Sequence, residues 1–233
     1  MNQTTTDLRA KMLPVAALIA YKNEGEGRKD YFLEARRIDS EGRMAEAVPV
    51  TYDLMNEIAS NYSEVHSRTP HGPIPDTLLY ADTRRGIEKY VWYNPPRRRV
   101  MYFANNLGIG NGEYNMPGII YVAENGRLAV FAYKDKRPEP DSELFAGPFF
   151  NVAAGCGSVC LGSAKLVEPE NPCYGDILEY WEKKFWLTEF SHLGGAGNPT
   201  AHNLVLITKK AREEPFPLKE LKSVHKKLKD LLK

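Results

Sequence analysis

The sequence predicts an α+β fold in which an antiparallel β-meander packs against helices. Short aromatic-rich runs, typical of strands, recur through the middle of the chain. The dipeptide Asn125-Gly126 separates two of these runs, as in a tight β-hairpin. The segment 176–187 instead places its apolar residues on one helical face. Those residues are Ile177, Leu178, Trp181 and Phe185.

The N-terminal part of the chain predicts an extension ahead of the meander. Residues 1–12 are polar and threonine-rich, which favours a disordered terminus. Two apolar segments, 13–21 and 31–38, are expected to form strands. Residues 51–62 carry a helical apolar pattern. The sequence therefore predicts a strand-strand-helix extension.

The meander and the C-terminal part follow a proline-rich loop. The predicted meander strands are 77–80, 90–93, 100–104, 118–123 and 127–133. A last strand is expected at 202–208, and Pro217 predicts a final helix over about 217–232 because proline is favoured in the first helical turn. No repeat and no long linker is evident. We therefore expect a single domain over 13–233.

Composition excludes several classes of function. Of the 233 residues, 42% are hydrophobic and 26% are charged, as in ordinary globular proteins. A formal net charge of +1 predicts neither a nucleic-acid partner nor a membrane-surface partner. No apolar run approaches the roughly 20 residues that span a bilayer. Three cysteines fit a reducing compartment, so we expect a cytoplasmic protein.

No cofactor site is predicted. Gly108-x-Gly110-x-Gly112 superficially resembles a phosphate-binding loop, but no helical pattern follows it. We interpret it as a loop of the meander.

The segment from Asn151 to Gly162 carries the reactive residue types. A nucleophilic cysteine needs an accessible thiolate and donors that stabilise the oxyanion formed during attack on a carbonyl. Glycines let backbone amides approach closely, and the asparagine could supply a side-chain donor. Free cysteines are also often buried packing residues, in which case the glycines only shape a turn. Local chemistry leaves both interpretations open.

Two motifs in this segment carry a resemblance to a known family. The run Gly-Ser-Val-Cys-Leu at 157–161 resembles the active-site segment of ubiquitin-conjugating enzymes, and Asn151 matches the asparagine of the His-Pro-Asn tripeptide that precedes it. Segments 148–152, 159–162 and 185–192 further resemble PRTRC system protein B, a prokaryotic ubiquitin-conjugating-like family. The resemblance covers most of the chain and is strongest over 128–192. It implies the ubiquitin-conjugating (UBC-like) fold.

The resemblance also implies roles and partners. Cys160 would accept a ubiquitin-like protein as a thioester from a ThiF-like activating enzyme and transfer it to an amine. Asn151 would stabilise the oxyanion. A JAB-type metallopeptidase of the same cassette is a further implied partner. We add His192 as a candidate that assists deprotonation of the attacking amine; a capping or core histidine is the competing interpretation.

The segment departs from the family pattern at three points. Phe149 and Phe150 replace the histidine and proline of the tripeptide. Asn151 lies nine residues before Cys160, one more than in the common eukaryotic pattern, and an insertion can swing its amide away. Cys156 has no counterpart in the ordinary family.

Three competing functions remain open at this point. A structural zinc site is the first, with ligands Cys156, Cys160, Cys173 and His192. A cysteine hydrolase is the second, using Cys160 and His192 with Asn198 or Asn203 to orient the histidine. The third is a protein that only docks partners, for which Cys160 would be buried.

Overall fold

A computed structural model describes residues 13–22, 31–56, 70–84, 87–162, 166–195 and 197–233. The chain divides into two compact units, Met1–His66 and Ser67–Lys233. The predicted disordered segment 1–12 lies outside the described residues.

The first unit contains a three-stranded antiparallel sheet. Its strands are β1 (Ala16–Lys22), β2 (Tyr31–Arg37) and β3 (Val48–Pro49), in that order across the sheet. The two predicted strands are therefore confirmed. Residues 52–56 are helical, and the rest of the helix predicted over 51–62 lies outside the described part of the chain.

The second unit is built on two sheets. The larger has six strands in the order β12-β10-β9-β8-β5-β4, all antiparallel, and the smaller has the order β11-β6-β7. Strands β4 to β7 are Leu78–Asp82, Lys89–Asn94, Arg97–Phe103 and Gly112–Met116. Strands β8 to β12 are Gly118–Glu124, Arg127–Tyr133, Glu143–Ala146, Glu189–Phe190 and Ser223–Lys227. The helices are α1 (Tyr174–Trp186) and α2 (Leu204–Lys210).

The expected α+β class is therefore observed, with mostly antiparallel sheets. The five predicted meander strands correspond to β4, β5, β6, β8 and β9. Asn125 and Gly126 join β8 to β9 with φ values of 49° and 73°, which confirms the predicted tight hairpin turn. The chain leaves the large sheet after β5, however, because β6 pairs with β7 and β11 in the small sheet instead.

One face of the large sheet carries the main aromatic core. Trp92 and Tyr121 stack with ring centroids 5.0 Å apart. The predicted helix is confirmed as α1, which brings the fully buried Phe185 onto this face. Phe149 lies 5.3 Å from Phe185, centroid to centroid, in an edge-to-face arrangement. This core is the support on which the segment around Cys160 rests.

The opposite face is covered by the C-terminal segment, and here the prediction was wrong. Residues 217–232 do not form a helix; they form β12 between single 3₁₀ turns. Pairing of β12 with β10 satisfies its backbone, and Leu228 is buried against Leu144 and Val91. An apolar spacing that fits a helix was thus overridden by tertiary pairing at a sheet edge.

The strand predicted over 202–208 was also wrong. Residues 204–210 form α2 instead, and Asn203 caps its start by accepting hydrogen bonds from the amides of Val205 and Leu206. Leu204 and Ile207 are buried whereas Leu206 is 65% exposed, which is a helical and not an alternating pattern.

Within the described residues, none of the helices is long and apolar enough to cross a membrane.

Candidate functional site

The segment that carries Cys160 folds as a small β-hairpin, 151–160. Val152 and Val159 form an antiparallel bridge, and the Ala153 amide donates to the Ser158 carbonyl at 2.9 Å. The Cys160 amide donates to the Asn151 carbonyl at 2.8 Å. The nine-residue spacing therefore places Asn151 directly opposite Cys160 at the base of the hairpin, so the additional residue is absorbed in the turn.

The hairpin is attached to the edge of β9. The Val130 amide donates to the Gly157 carbonyl at 2.8 Å, and the Val159 amide donates to the Leu128 carbonyl at 2.9 Å. Gly157 is required at this junction. Its φ is 72°, and a Cβ there would lie 2.8 Å from the Phe131 ring and 2.9 Å from the Val130 carbonyl oxygen.

Cys160 is exposed at the open end of this pairing. Val159 packs against the main core, whereas Ser158 on one side and Cys160 on the other are exposed, as alternation along a strand requires. Continuing the register that pairs Ala129 with Ser158 places Cys160 beside Arg127, the first residue of β9. The thiol is therefore accessible, on a backbone fixed by the sheet.

Phe149 and Phe150 anchor the start of the hairpin. They are 1% and 2% exposed, and the Phe150 ring lies 6.2 Å from that of Phe103 in an edge-to-face contact. Where the family motif carries a histidine and a proline, this chain therefore places two core aromatics.

The Asn151 side chain is buried, with 3% exposure, and binds a neighbouring backbone segment. Its Nδ2 donates to the Glu189 carbonyl at 2.9 Å. Its Oδ1 accepts from the amides of Ser191 at 3.0 Å and His192 at 3.3 Å. Its φ of 60° is in the left-handed region that asparagine tolerates better than most residues. These contacts connect the hairpin to the end of β11.

His192 is brought to the same place through its backbone. Its carbonyl accepts from the Asn151 amide at 2.7 Å, so Asn151 lies between the backbones of His192 and Cys160. The imidazole is exposed, and its Nδ1 lies 3.0 Å from the Ser191 hydroxyl. Next to it, Gly194 permits close packing, since a Cβ there would lie 2.3 Å from the Val152 carbonyl carbon.

Thr188 is a residue that the sequence did not single out. It is 5% exposed, and its hydroxyl lies 3.2 Å from the Leu161 carbonyl and 2.9 Å from the Lys184 carbonyl. It thereby connects the residue after Cys160 to the C-terminal end of α1. No local pattern marks such a residue, because its contacts join segments far apart in sequence.

A structural zinc site is not supported by the positions of its expected ligands. All four lie in the described part of the chain, and within that part no group of three or more His, Cys, Asp or Glu side chains could hold a metal ion. Cys173 instead caps α1, its Sγ accepting from the Asp176 amide at 3.4 Å. Cys156 lies exposed in the hairpin turn.

The positions of the expected residues do not support the cysteine-hydrolase or the docking-only interpretation either. Asn203 caps α2, and Asn198 donates to the His202 carbonyl, so the structure records neither as a partner of the His192 imidazole. A protein that only docks partners was expected to bury Cys160, which is exposed.

Comparisons with known proteins give one family. The model of prokaryotic E2 family D matches residues 53–224, which include the whole hairpin, α1 and His192. No curated protein and no solved structure matches the chain. The matched region is more than half of the chain, and the fold is compatible with an E2-like protein. This chain therefore belongs to prokaryotic E2 family D.

Proposed function

We propose that this protein carries a ubiquitin-like protein as a thioester on Cys160 and transfers it to an amine. Family membership indicates an E2-like, ubiquitin-conjugating type of function in general. The observation that carries the finer proposal is the exposed Cys160 at the base of a hairpin that the sheet edge holds in place. A carrier must meet two bulky partners in turn, and an exposed thiol on a fixed backbone meets that requirement.

The proposed reaction has two acyl transfers. The Cys160 thiolate attacks the thioester carbonyl carbon of the ubiquitin-like C-terminus on a ThiF-like activating enzyme, whose own thiolate leaves. An unprotonated amine then attacks the new thioester carbonyl, and the Cys160 thiolate leaves as the amide bond forms. The thiolate is the nucleophile in the first transfer and the leaving group in the second.

His192 is the proposed acceptor of the proton that the amine loses. Its imidazole is exposed, and its backbone is held by the residue opposite Cys160. A lysine amine has a reference pKa of about 10.4, so it must lose a proton before attack. The free amine loses a further proton as its nitrogen bonds to the thioester carbonyl, and a neutral imidazole nearby can accept that proton as a general base.

Asn151 has two proposed roles that experiment can separate. One of its two Nδ2 hydrogens is donated to the Glu189 carbonyl, which supports the positioning role. The oxyanion role predicted from the family resemblance requires the second hydrogen. The wider proposal follows the same resemblance: a UBC-like domain over 13–233 of the PRTRC system protein B type, working in the cytoplasm with a JAB-type metallopeptidase of its cassette.

A charging assay tests the carrier proposal. The protein is mixed with the matching activating enzyme, the ubiquitin-like protein and ATP, and separated on a non-reducing gel. We expect a thiol-sensitive adduct in the wild type and in Cys156→Ser, and a thiol-resistant or absent adduct in Cys160→Ser. If the activating enzyme becomes charged but the wild-type protein does not, the carrier proposal is wrong.

A further inference from the structure

The Ser191 hydroxyl lies between the Asn151 side chain and the His192 ring. Its Oγ is 3.4 Å from Asn151 Oδ1 and 3.0 Å from His192 Nδ1. Among the described residues, Ser191 is the one hydrogen-bond partner that the structure records for this ring. The proposed base is therefore oriented by a residue to which the proposed reaction gives no role.

The orientation of the Asn151 amide group is fixed by its other contacts. Its Nδ2 faces the Glu189 carbonyl, which can only accept a hydrogen. Its Oδ1 faces the amides of Ser191 and His192, which can only donate. Turning the amide group over would bring donor against donor and acceptor against acceptor. The atom that faces the Ser191 hydroxyl is therefore an oxygen that only accepts.

The two contacts of the Ser191 oxygen require two hydrogens. The hydroxyl carries one, which Asn151 Oδ1 can receive. The contact with His192 then needs a hydrogen on Nδ1, which a lone pair of the Ser191 oxygen accepts. If the hydroxyl donated to Nδ1 instead, two oxygen atoms would face each other at 3.4 Å with no hydrogen between them. Both contacts are hydrogen bonds only when the neutral imidazole carries its hydrogen on Nδ1.

We propose that Ser191 is a positioning residue that keeps the hydrogen of the neutral His192 ring on Nδ1. The other ring nitrogen, Nε2, then has the free lone pair and accepts the proton of the attacking amine. Without this contact the hydrogen can move to Nε2, which would then be a donor and not a base. This inference rests on the proposed function, in which His192 is the base, and adds to it the residue that selects the basic nitrogen.

The same contact serves both protonation states of the ring. As the amine nitrogen bonds to the thioester carbonyl carbon, its proton moves to Nε2, the carbon–sulfur bond breaks and the Cys160 thiolate leaves. The resulting imidazolium carries a hydrogen on each nitrogen, and Nδ1 still donates to the Ser191 oxygen. No hydrogen bond of Ser191 has to be rearranged during the transfer, and the ring then returns its proton to water.

Nitrogen NMR of the uncharged protein shows which ring nitrogen carries the hydrogen. The spectrum is recorded at about pH 8.5, roughly two units above the reference pKa of an imidazole, so that the neutral form dominates. The chain has five histidines, and the variant His192→Gln identifies the signals of this ring. We expect the hydrogen mostly on Nδ1 in the wild-type protein.

Three serine variants test the origin of this preference. Ser191→Ala should lower the ratio of the Nδ1–H form to the Nε2–H form by roughly 3- to 10-fold, as expected for the loss of one neutral hydrogen bond. Ser191→Thr keeps the hydroxyl and should retain the wild-type ratio. Ser158→Ala makes the same change at an exposed serine of the hairpin that has no recorded contact with the ring, and it is the matched control.

The rate of acyl transfer from the charged protein to free lysine measures the consequence. This single-turnover rate should fall by roughly 3- to 10-fold in Ser191→Ala and recover in Ser191→Thr. An unchanged rate in Ser191→Ala would overturn the proposal, as would a wild-type ring with its hydrogen mostly on Nε2.

The two measurements separate this proposal from the carrier function. A protein that shows the expected form of the ring but never becomes charged would refute the carrier function alone, because the NMR spectrum is read without any thioester. One that becomes charged while the ring holds its hydrogen on Nε2 would refute the role of Ser191 alone.

Discussion

Substitution of Asn151 tests whether its side chain holds the hairpin in place. Asn151→Ala removes the hydrogen bond to the Glu189 carbonyl and the contacts from the Ser191 amide, the Ser191 hydroxyl and the His192 amide. Buried hydrogen bonds contribute about 1 kcal/mol each, and more where a partner is left unsatisfied. An alanine held at a φ of 60° costs about 1 kcal/mol more. We therefore expect a loss of about 3–5 kcal/mol.

Thermal unfolding followed by near-ultraviolet circular dichroism measures this loss. In a protein of this size 1 kcal/mol corresponds to roughly 2–4 °C in Tm, so a loss of about 3–5 kcal/mol should lower Tm by about 6–20 °C. Asn151→Gly is the matched control, because glycine loses the same side-chain contacts but accepts the backbone angle. Its loss should be smaller than that of alanine by about 1 kcal/mol.

The charging assay on the same variants separates the two roles of Asn151. A Tm within about 2 °C of the wild type, together with a roughly 100-fold fall in charging rate, would refute the positioning argument. It would identify Asn151 as a direct oxyanion donor, since removal of one such donor costs about 100- to 1000-fold. A large fall in Tm together with the loss of charging supports positioning.

Three further predictions concern the hairpin and a buried carboxylate. Gly157→Ala should destabilise the protein by about 2–3 kcal/mol, because the new Cβ would contact the core. Gly126→Ala, at nearly the same φ but in open space, should cost only about 1 kcal/mol. Denaturant unfolding measures both free energies, and equal costs would contradict the close packing at Gly157. Cys156 lies in the hairpin turn and Cys160 at the base of the hairpin, separated by the paired residues Ser158 and Val159. We therefore expect the two thiols to be too far apart for a disulfide, so that mild oxidation forms no bond between them in a mass spectrum of the native protein. A cross-linked peptide would contradict the hairpin. The His202 side chain, through its hydrogen bond, lowers the pKa of Glu220 below 4.5. This pair therefore stabilises the fold above that pH, and its contribution is lost as pH falls through the lowered pKa. Glu220→Gln should flatten the dependence of Tm on pH in the acid range, and an unchanged slope would contradict this prediction.

Some features of the fold were predictable because their determinants are local. The Asn125-Gly126 turn needs two residues with positive φ, and this pair supplies them wherever the flanking strands lie. The apolar face of α1 likewise shows its period within one segment. The wrong assignments were made where local patterns fit two structures. The apolar residues of 217–232 fit a helix, but β10 offered an unpaired edge, and pairing with it decided for a strand.

For the site, the sequence by itself determined the residue types and their order: a cysteine in a glycine-rich loop, an asparagine nine residues before it, and a Ser-His pair after a helix. Only the tertiary structure decided where they lie. It placed Asn151 opposite Cys160, turned the asparagine amide toward the Glu189 and Ser191 backbone, and left the thiol exposed. The reason is that cross-strand register and burial depend on contacts between segments far apart in the chain, which no spacing within one segment specifies.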